Sequence, residues 1–365
     1  MGKVTTFCII SGRTPEMAGN LRNLFKYMYF RNSDAPKPGE LVLQALNELA
    51  DAEGLGVGDE DVTLIGLPRE DALHIPKHQI HVVPHCSMSE QYLWDLGFAN
   101  GPKCRAQNGE EVTPNFLVSF GPIIMVQTSG LPILHLATCG RVSPLRLWTL
   151  AMHLGWSKPH NDYGLPGVDY GEVGIHREQD PPPIPYMEEH EVVALEELGN
   201  VEAIQETVAQ LGGFWVWMRP DRFPLDAPSV HDSTPHSGGH SSPSLLSGRQ
   251  AVKKLPFELF CMIALEGPLP SMISLAATSR FMHSILLGST ADRNTLAAAW
   301  LQTRAPWYIP STPDVEGAQL EMHKLHEGGA WEYLRRCHLS ASMRNRRRIW
   351  QVAERIERLA DAYQI

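Results

Sequence analysis

His74, His78, His81, His85 and Cys86 crowd into one short stretch, and imidazole with thiolate is a ligand set that suits zinc. The residues between them argue otherwise. Ile75-Pro76, Ile80 and Val82-Val83-Pro84 read as loop and strand, and successive residues of a strand point to opposite faces, so the five cannot converge on one ion. No second Cys or His pair stands at a spacing that completes four ligands, and no metal is expected. Cys86 beside His85 has the residue types of a thiol hydrolase, but neighbours in a strand diverge and no orienting third group accompanies them. The chain has no phosphate loop, dinucleotide fingerprint or metalloprotease helix, so neither catalytic residues nor cofactors are expected. The basic run Arg344 to Arg348 carries the charge for a phosphate backbone. It opens a helix with Trp350 on its apolar face, however, which favours a structural or partner role over nucleic acid.

Composition narrows the class. The chain has 365 residues, 43% hydrophobic and 20% charged, enough for two domains of ordinary globular type. A formal charge of -10 excludes a surface given over wholly to nucleic acid. The 6 cysteines, at 8, 86, 104, 139, 261 and 337, follow no paired pattern and suit a reducing compartment, cytoplasmic or nuclear, better than a disulfide framework. No secretory leader is legible, because Arg13 and Glu16 interrupt the start before any long apolar run. From 112 to 140 an uncharged stretch begins at Val112 and ends at Gly140, but Pro114, Gly121, Pro122, Gly130 and Pro132 cut it into pieces of strand length. Buried strands over 116–120, 123–127 and 133–136 are expected rather than a membrane span, with Thr128-Ser129-Gly130 as the turn between the last two.

The elements that must position any chemistry are mixed. Strands are expected over 4–10, 62–67 and 79–83, and helices over 40–53, 88–97, within 139–154, and in one continuous charged run over 190–211. Pro181-Pro182-Pro183 and Pro185 form a stiff connector, and Phe214-Trp215-Val216-Trp217-Met218 closes the N-terminal region. The stretch from Asp221 to Gln250, rich in Pro, Ser, Gly and His, has too little apolar surface to fold by itself and reads as a disordered linker. A last helix over 347–363 turns Trp350, Ala353, Ile356, Leu359 and Ala360 to a core.

Between the linker and that helix lies the densest pattern. Leu255-Pro256 precedes Glu258, and a proline at a helix start with a carboxylate in the first turn suits the positive end of the helix dipole. Phe257, Leu259, Phe260, Met262 and Ile263 make this helix apolar on more than one side until Gly267-Pro268. A second start at Pro270, with Ser271 able to cap it, leads into Met272, Leu275, Ala276 and Ser279, and Phe281, Ile285 and Leu286 continue the stripe. So short a helical trio holds more apolar side chains than it can bury against itself, which points to a partner or a neighbouring domain.

The run from Leu255 through Ile263 and Leu275 to Arg280 resembles an F-box. Downstream, Ala305-Pro306-Trp307-Tyr308-Ile309-Pro310, then Trp331, Tyr333, Leu334 and Cys337, then Ser342 to Trp350, are similar to the tail that follows the F-box in many fungal proteins. Cys8-Ile9-Ile10-Ser11-Gly12 and the His135–Cys139 pair resemble shorter elements of the same proteins. The resemblance covers only the last third of the chain and implies an all-helical F-box over 253–287 and a helical extension over 288–365; with the mixed elements and the linker read upstream, the fold class is α+β, with a mixed N-terminal domain over 1–218 and a disordered linker over 219–252. It implies a substrate receptor without catalysis of its own, joining a Skp-type adaptor and cullin ubiquitin ligase complex to an unknown protein target. Leu255, Pro256, Leu259, Ile263, Met272, Leu275 and Ala276 would then hold the adaptor. The alternative left open is a non-catalytic scaffold in which these helices pack internally.

Overall fold

A computed structural model describes residues 8–13, 40–51, 62–67, 79–86, 104–105, 111–112, 123–155, 164–171, 189–210, 214–224, 256–310 and 329–365. Expectations for 1–7, 52–61, the helix over 88–97, the strand over 116–120, the proline connector and the linker over 225–252 fall outside these residues. Among the described residues the architecture is mixed, with two small antiparallel sheets, of three and two strands, and eleven α-helices. In chain order these are α1 (Glu40–Asp51), β1 (Val62–Gly66), β2 (His81–Cys86), β3 (Cys104–Arg105), β4 (Glu111–Val112), β5 (Ile123–Gln127), α2 (Gly130–Ala137), α3 (Pro144–His153), α4 (Glu189–Glu197) and α5 (Val201–Gln210). Then come α6 (Phe257–Glu266), α7 (Leu269–Ala277), α8 (Arg280–Leu286), α9 (Thr290–Arg304), α10 (Ala330–Leu339) and α11 (Ala341–Ala362). The chain divides into two compact units, one of 1–222 with 341–365 and the other of 223–340. The division separates α11 from the extension over 288–365 in which the sequence groups it, because its apolar face is buried within the first unit.

The three-stranded sheet of the first unit has the order β2-β1-β5, antiparallel throughout. All five residues of β1 and of β5 are buried, which is why their sequences are mostly apolar rather than alternating, with Thr63 and Gln127 as buried polar exceptions. The β1–β2 pairing shifts register between Val62 and Leu64, opposite a stretch of β2 that contains Pro84, whose missing N–H cannot serve a regular ladder. Against this sheet pack α2 and α3, and α11 packs on both helices. Ser143 caps α3 by accepting from the Arg146 amide at 3.2 Å, with Pro144 in the first turn.

Three sequence expectations are corrected here. Residues 133–136 are helical, not strand: α2 buries Ile133 and Leu134, and Thr138 closes it by donating to the Leu134 carbonyl at 2.7 Å. Pro132 sits in its first turn, where no intrahelical donor is needed. The segment Cys8–Ile10 forms a tight turn, not the end of a strand. The Cys8 amide donates to the Arg13 carbonyl at 2.7 Å and Gly12 to Cys8 at 2.8 Å, while Ile9 donates to Met125 of β5 at 3.0 Å. Gly12 has φ +69°, and a Cβ there would lie 2.6 Å from the Tyr170 ring, so both backbone and space require glycine. Finally, the charged run over 190–211 is two helices. Gly199 at φ +64° breaks it, and Asn200 caps α5 by accepting from the Ala203 amide at 3.1 Å.

The second unit is all-helical among its described residues. Phe260, Ala264, Leu269, Met272, Ala276 and Leu286 form the core of the α6–α8 trio, and Phe260 meets Phe281 edge-on with ring centroids 6.0 Å apart. Ser279 caps α8 through the Met282 amide and Ser289 caps α9 through the Asp292 amide. α10 lies on α9, and the Tyr333 hydroxyl donates to the Tyr308 carbonyl.

Candidate functional site

The α6–α8 trio is where sequence and geometry meet. Pro256, extended at ψ 152°, leads into α6, and Glu258 stands in its first turn. α6 is apolar on two opposite sides. Phe260 and Ala264, one turn apart, point inward and are each 2% exposed. Leu259, Met262 and Ile263 stand at i, i+3 and i+4 on the outer side, and are 41%, 62% and 54% exposed. On α7, Ile273 is 46% exposed while Leu269, Met272 and Ala276 are buried. The unit therefore shows four large aliphatic side chains to solvent from two successive helices.

Packing from α9 fixes this arrangement. Arg304, at the C-terminal end of α9, donates from Nε to the Leu265 carbonyl at 2.5 Å and from Nη2 to the Glu266 carboxylate at 2.8 Å. A cation thus satisfies the carbonyl end of α6, where helix carbonyls otherwise lack partners. Gly267 and Pro268 are both extended and separate α6 from α7. Cys261 is half-buried on α6; burial first, then the negative charges of Asp292 and Glu258, push its thiol above the ordinary range. At the far end of the unit, hydrogen bonds from Arg335 and Arg336 hold the Glu332 carboxyl below the usual carboxylate range despite some desolvation.

Of the residues expected to hold an adaptor, Pro256, Leu259 and Ile263 are exposed and Leu275 is half-buried. Met272 and Ala276, each 1% exposed, are buried in the trio. Leu255 lies outside the described residues. Ser271 does not cap the second helix, because α7 begins at Leu269 after Pro268 and makes no side-chain cap bond. Met262 and Ile273, outside the expected set, are exposed beside Leu259 and Ile263. For Ile273 the signal was available, since Leu269, Met272 and Ala276 already fill the inward stripe and leave position 273 off it.

The other constellations are dispersed. His81 is half-buried on β2, His74 and His78 lie outside the described residues, and no cluster of three or more His, Cys, Asp or Glu able to hold a metal exists among the described residues. Cys8 is wholly buried, its sulfur accepting from the amides of Ser11 at 3.3 Å and Gln127 at 3.1 Å, and the Ser11 hydroxyl donates to Gln127 Oε1 at 2.8 Å. Arg13, in the same turn, is held well below the usual arginine range by burial first and by the charge of Arg348 second. His135 and Cys139 are both exposed at the end of α2.

The basic run is structural in its contacts. Arg346 and Arg348 are buried in α11. Arg348 donates to the carbonyls of Ser11 and Tyr170 at 2.7 and 3.2 Å and to Asn345 Oδ1, and Arg346 donates to the Pro220 carbonyl at 3.2 Å. Arg344 stacks over Trp215 at 4.2 Å. No helix among the described residues is long and apolar enough to cross a membrane. Comparison with family models, with curated proteins and with solved structures returns no match in any of the three.

Proposed function

We propose that the chain is an F-box substrate receptor that recruits a protein target to a Skp-cullin ubiquitin ligase by binding alone. The observation that carries this reading is the uncovered aliphatic face of Leu259, Met262, Ile263 and Ile273, reached through Pro256, on a trio whose inner positions are already filled. A short helical module that holds such side chains in water gains free energy when a partner covers them, at roughly 25 cal/mol per Å² of apolar surface removed. The acidic first turn at Glu258 and the Arg304 clamp on the end of α6 hold the outer row in one orientation, which lowers the ordering cost of association. The first unit is then the region left to meet the target, and no catalytic residue, metal or cofactor is assigned.

The test is capture by purified Skp-type adaptor. Ile263→Asp places a carboxylate on the exposed row, so the free chain keeps its circular dichroism spectrum, while burying that charge against a partner costs several kcal/mol and removes a micromolar to nanomolar complex. Met272→Asp, by contrast, unfolds the trio. Equal capture of the wild type and a folded Ile263→Asp chain would exclude the reading in favour of helices that serve only the inside of the fold.

A further inference from the structure

We propose that α11 is a non-covalent clasp, which keeps the chain in one piece when the backbone between 225 and 255 is cut. The inference is independent of the ligase reading. It starts from connectivity: α11 follows the second unit in the chain, from Ser340 into Ala341, yet its buried side belongs to the first unit. A cut between 225 and 255 therefore leaves an N-terminal piece that lacks α11 and a C-terminal piece that carries it together with α6 to α10.

The two pieces share a core. Ile349, Val352, Ala353 and Ile356 are at most 1% exposed, sealed within the unit that holds the β2-β1-β5 sheet. Polar contacts fix the register of the helix in that seat. Asn345 donates to the Met218 carbonyl at 2.6 Å, Arg348 reaches the Ser11 carbonyl, and Arg141 pairs with Glu357 at 2.7 Å. These partners come from three separated parts of the N-terminal piece, so the helix is held along its length and not at one end. Release of the helix would break these charge-assisted hydrogen bonds and expose to water the apolar core beside them, which opposes it. The face is filled from within the chain and is not a surface awaiting another molecule.

The experiment uses the full chain with a single protease recognition sequence inserted between Ser241 and Ser242, cleaved to completion and passed over a sizing column at about micromolar concentration. Both fragments are expected to elute together, in equal amounts, at the volume of the uncut chain. Molar salt leaves them together, because screening weakens exposed ion pairs far more than buried apolar contact. Separation of the fragments, as two soluble species or with the N-terminal piece precipitating alone, overturns the proposal. In the cleaved chain, Ile356→Ala should raise the rate at which fragments exchange at least tenfold, whereas Arg358→Ala, on the exposed side of α11, should leave it unchanged. Equal exchange rates in these two variants would show that something other than α11 joins the pieces, and would equally overturn it.

Discussion

Tyr170 shows how much one side chain can hold. Its hydroxyl accepts from the Leu165 amide at 2.9 Å and donates to the Ile9 carbonyl at 2.7 Å, while its ring fills the space that Gly12 and Gly164 leave open. Tyr170→Phe keeps the ring and strands a buried N–H and a buried carbonyl. It should cost about 1–3 kcal/mol in urea unfolding, with the m-value unchanged; a loss near zero would mean that water reaches both groups. None of this was legible in the sequence. Tyr170 lies in a stretch without periodicity, and two of its partners, Ile9 and Gly12, sit far away along the chain. Arg348 was readable as structural from the apolar face of its helix, but the carbonyls of Ser11 and Tyr170 that the structure sets against it were not. Local sequence carries charge but not the distant acceptors that make burial of a charge tolerable.

At the scale of the element, legibility follows amphipathicity. The helix starts at Glu40 and Phe257, the strands at 62 and 123, and a helix within 139–154 were all readable because caps, prolines or period marked them. α2 was not, since a short helix with apolar residues on every side has no period to detect, and its length matches a strand. The outer row of α6 failed for a related reason. With Phe257, Leu259, Phe260, Met262, Ile263 and Leu265 in a single helix, sequence alone cannot say which side faces inward, and only packing against Phe281 and α9 decides. Capping gives a test at this scale. Ser289 accepts from the Asp292 amide at 3.0 Å and its hydroxyl donates to the Asp292 carboxylate, so it serves the end of α9 twice. Ser289→Ala should lower the stability of the second unit by ~1 kcal/mol, read as earlier loss of helical signal on heating.

At the scale of the molecule, the first unit is discontinuous and the second is inserted into it. Two cores follow, each closed by its own residues, and a core substitution in one should leave the other's protection intact. Ile349→Ala should cost about 2–5 kcal/mol, and hydrogen exchange should speed up at β1 and β5 while the amides of α9 keep their wild-type rates. Uniform loss of protection through both units would mean that they unfold as one.

The insertion also sets an order in time. During synthesis the residues of β1, β5, α2 and α3 leave the ribosome before any of the second unit, but the helix that seals them comes after all of it. At roughly 5–20 residues per second, the wait is on the order of 10 s. For that interval α2 and α3 lack the helix that packs on them, while α6 to α10 are free to fold locally. A chaperone that shields apolar surface would therefore be needed by the part of the protein that is made first and finished last.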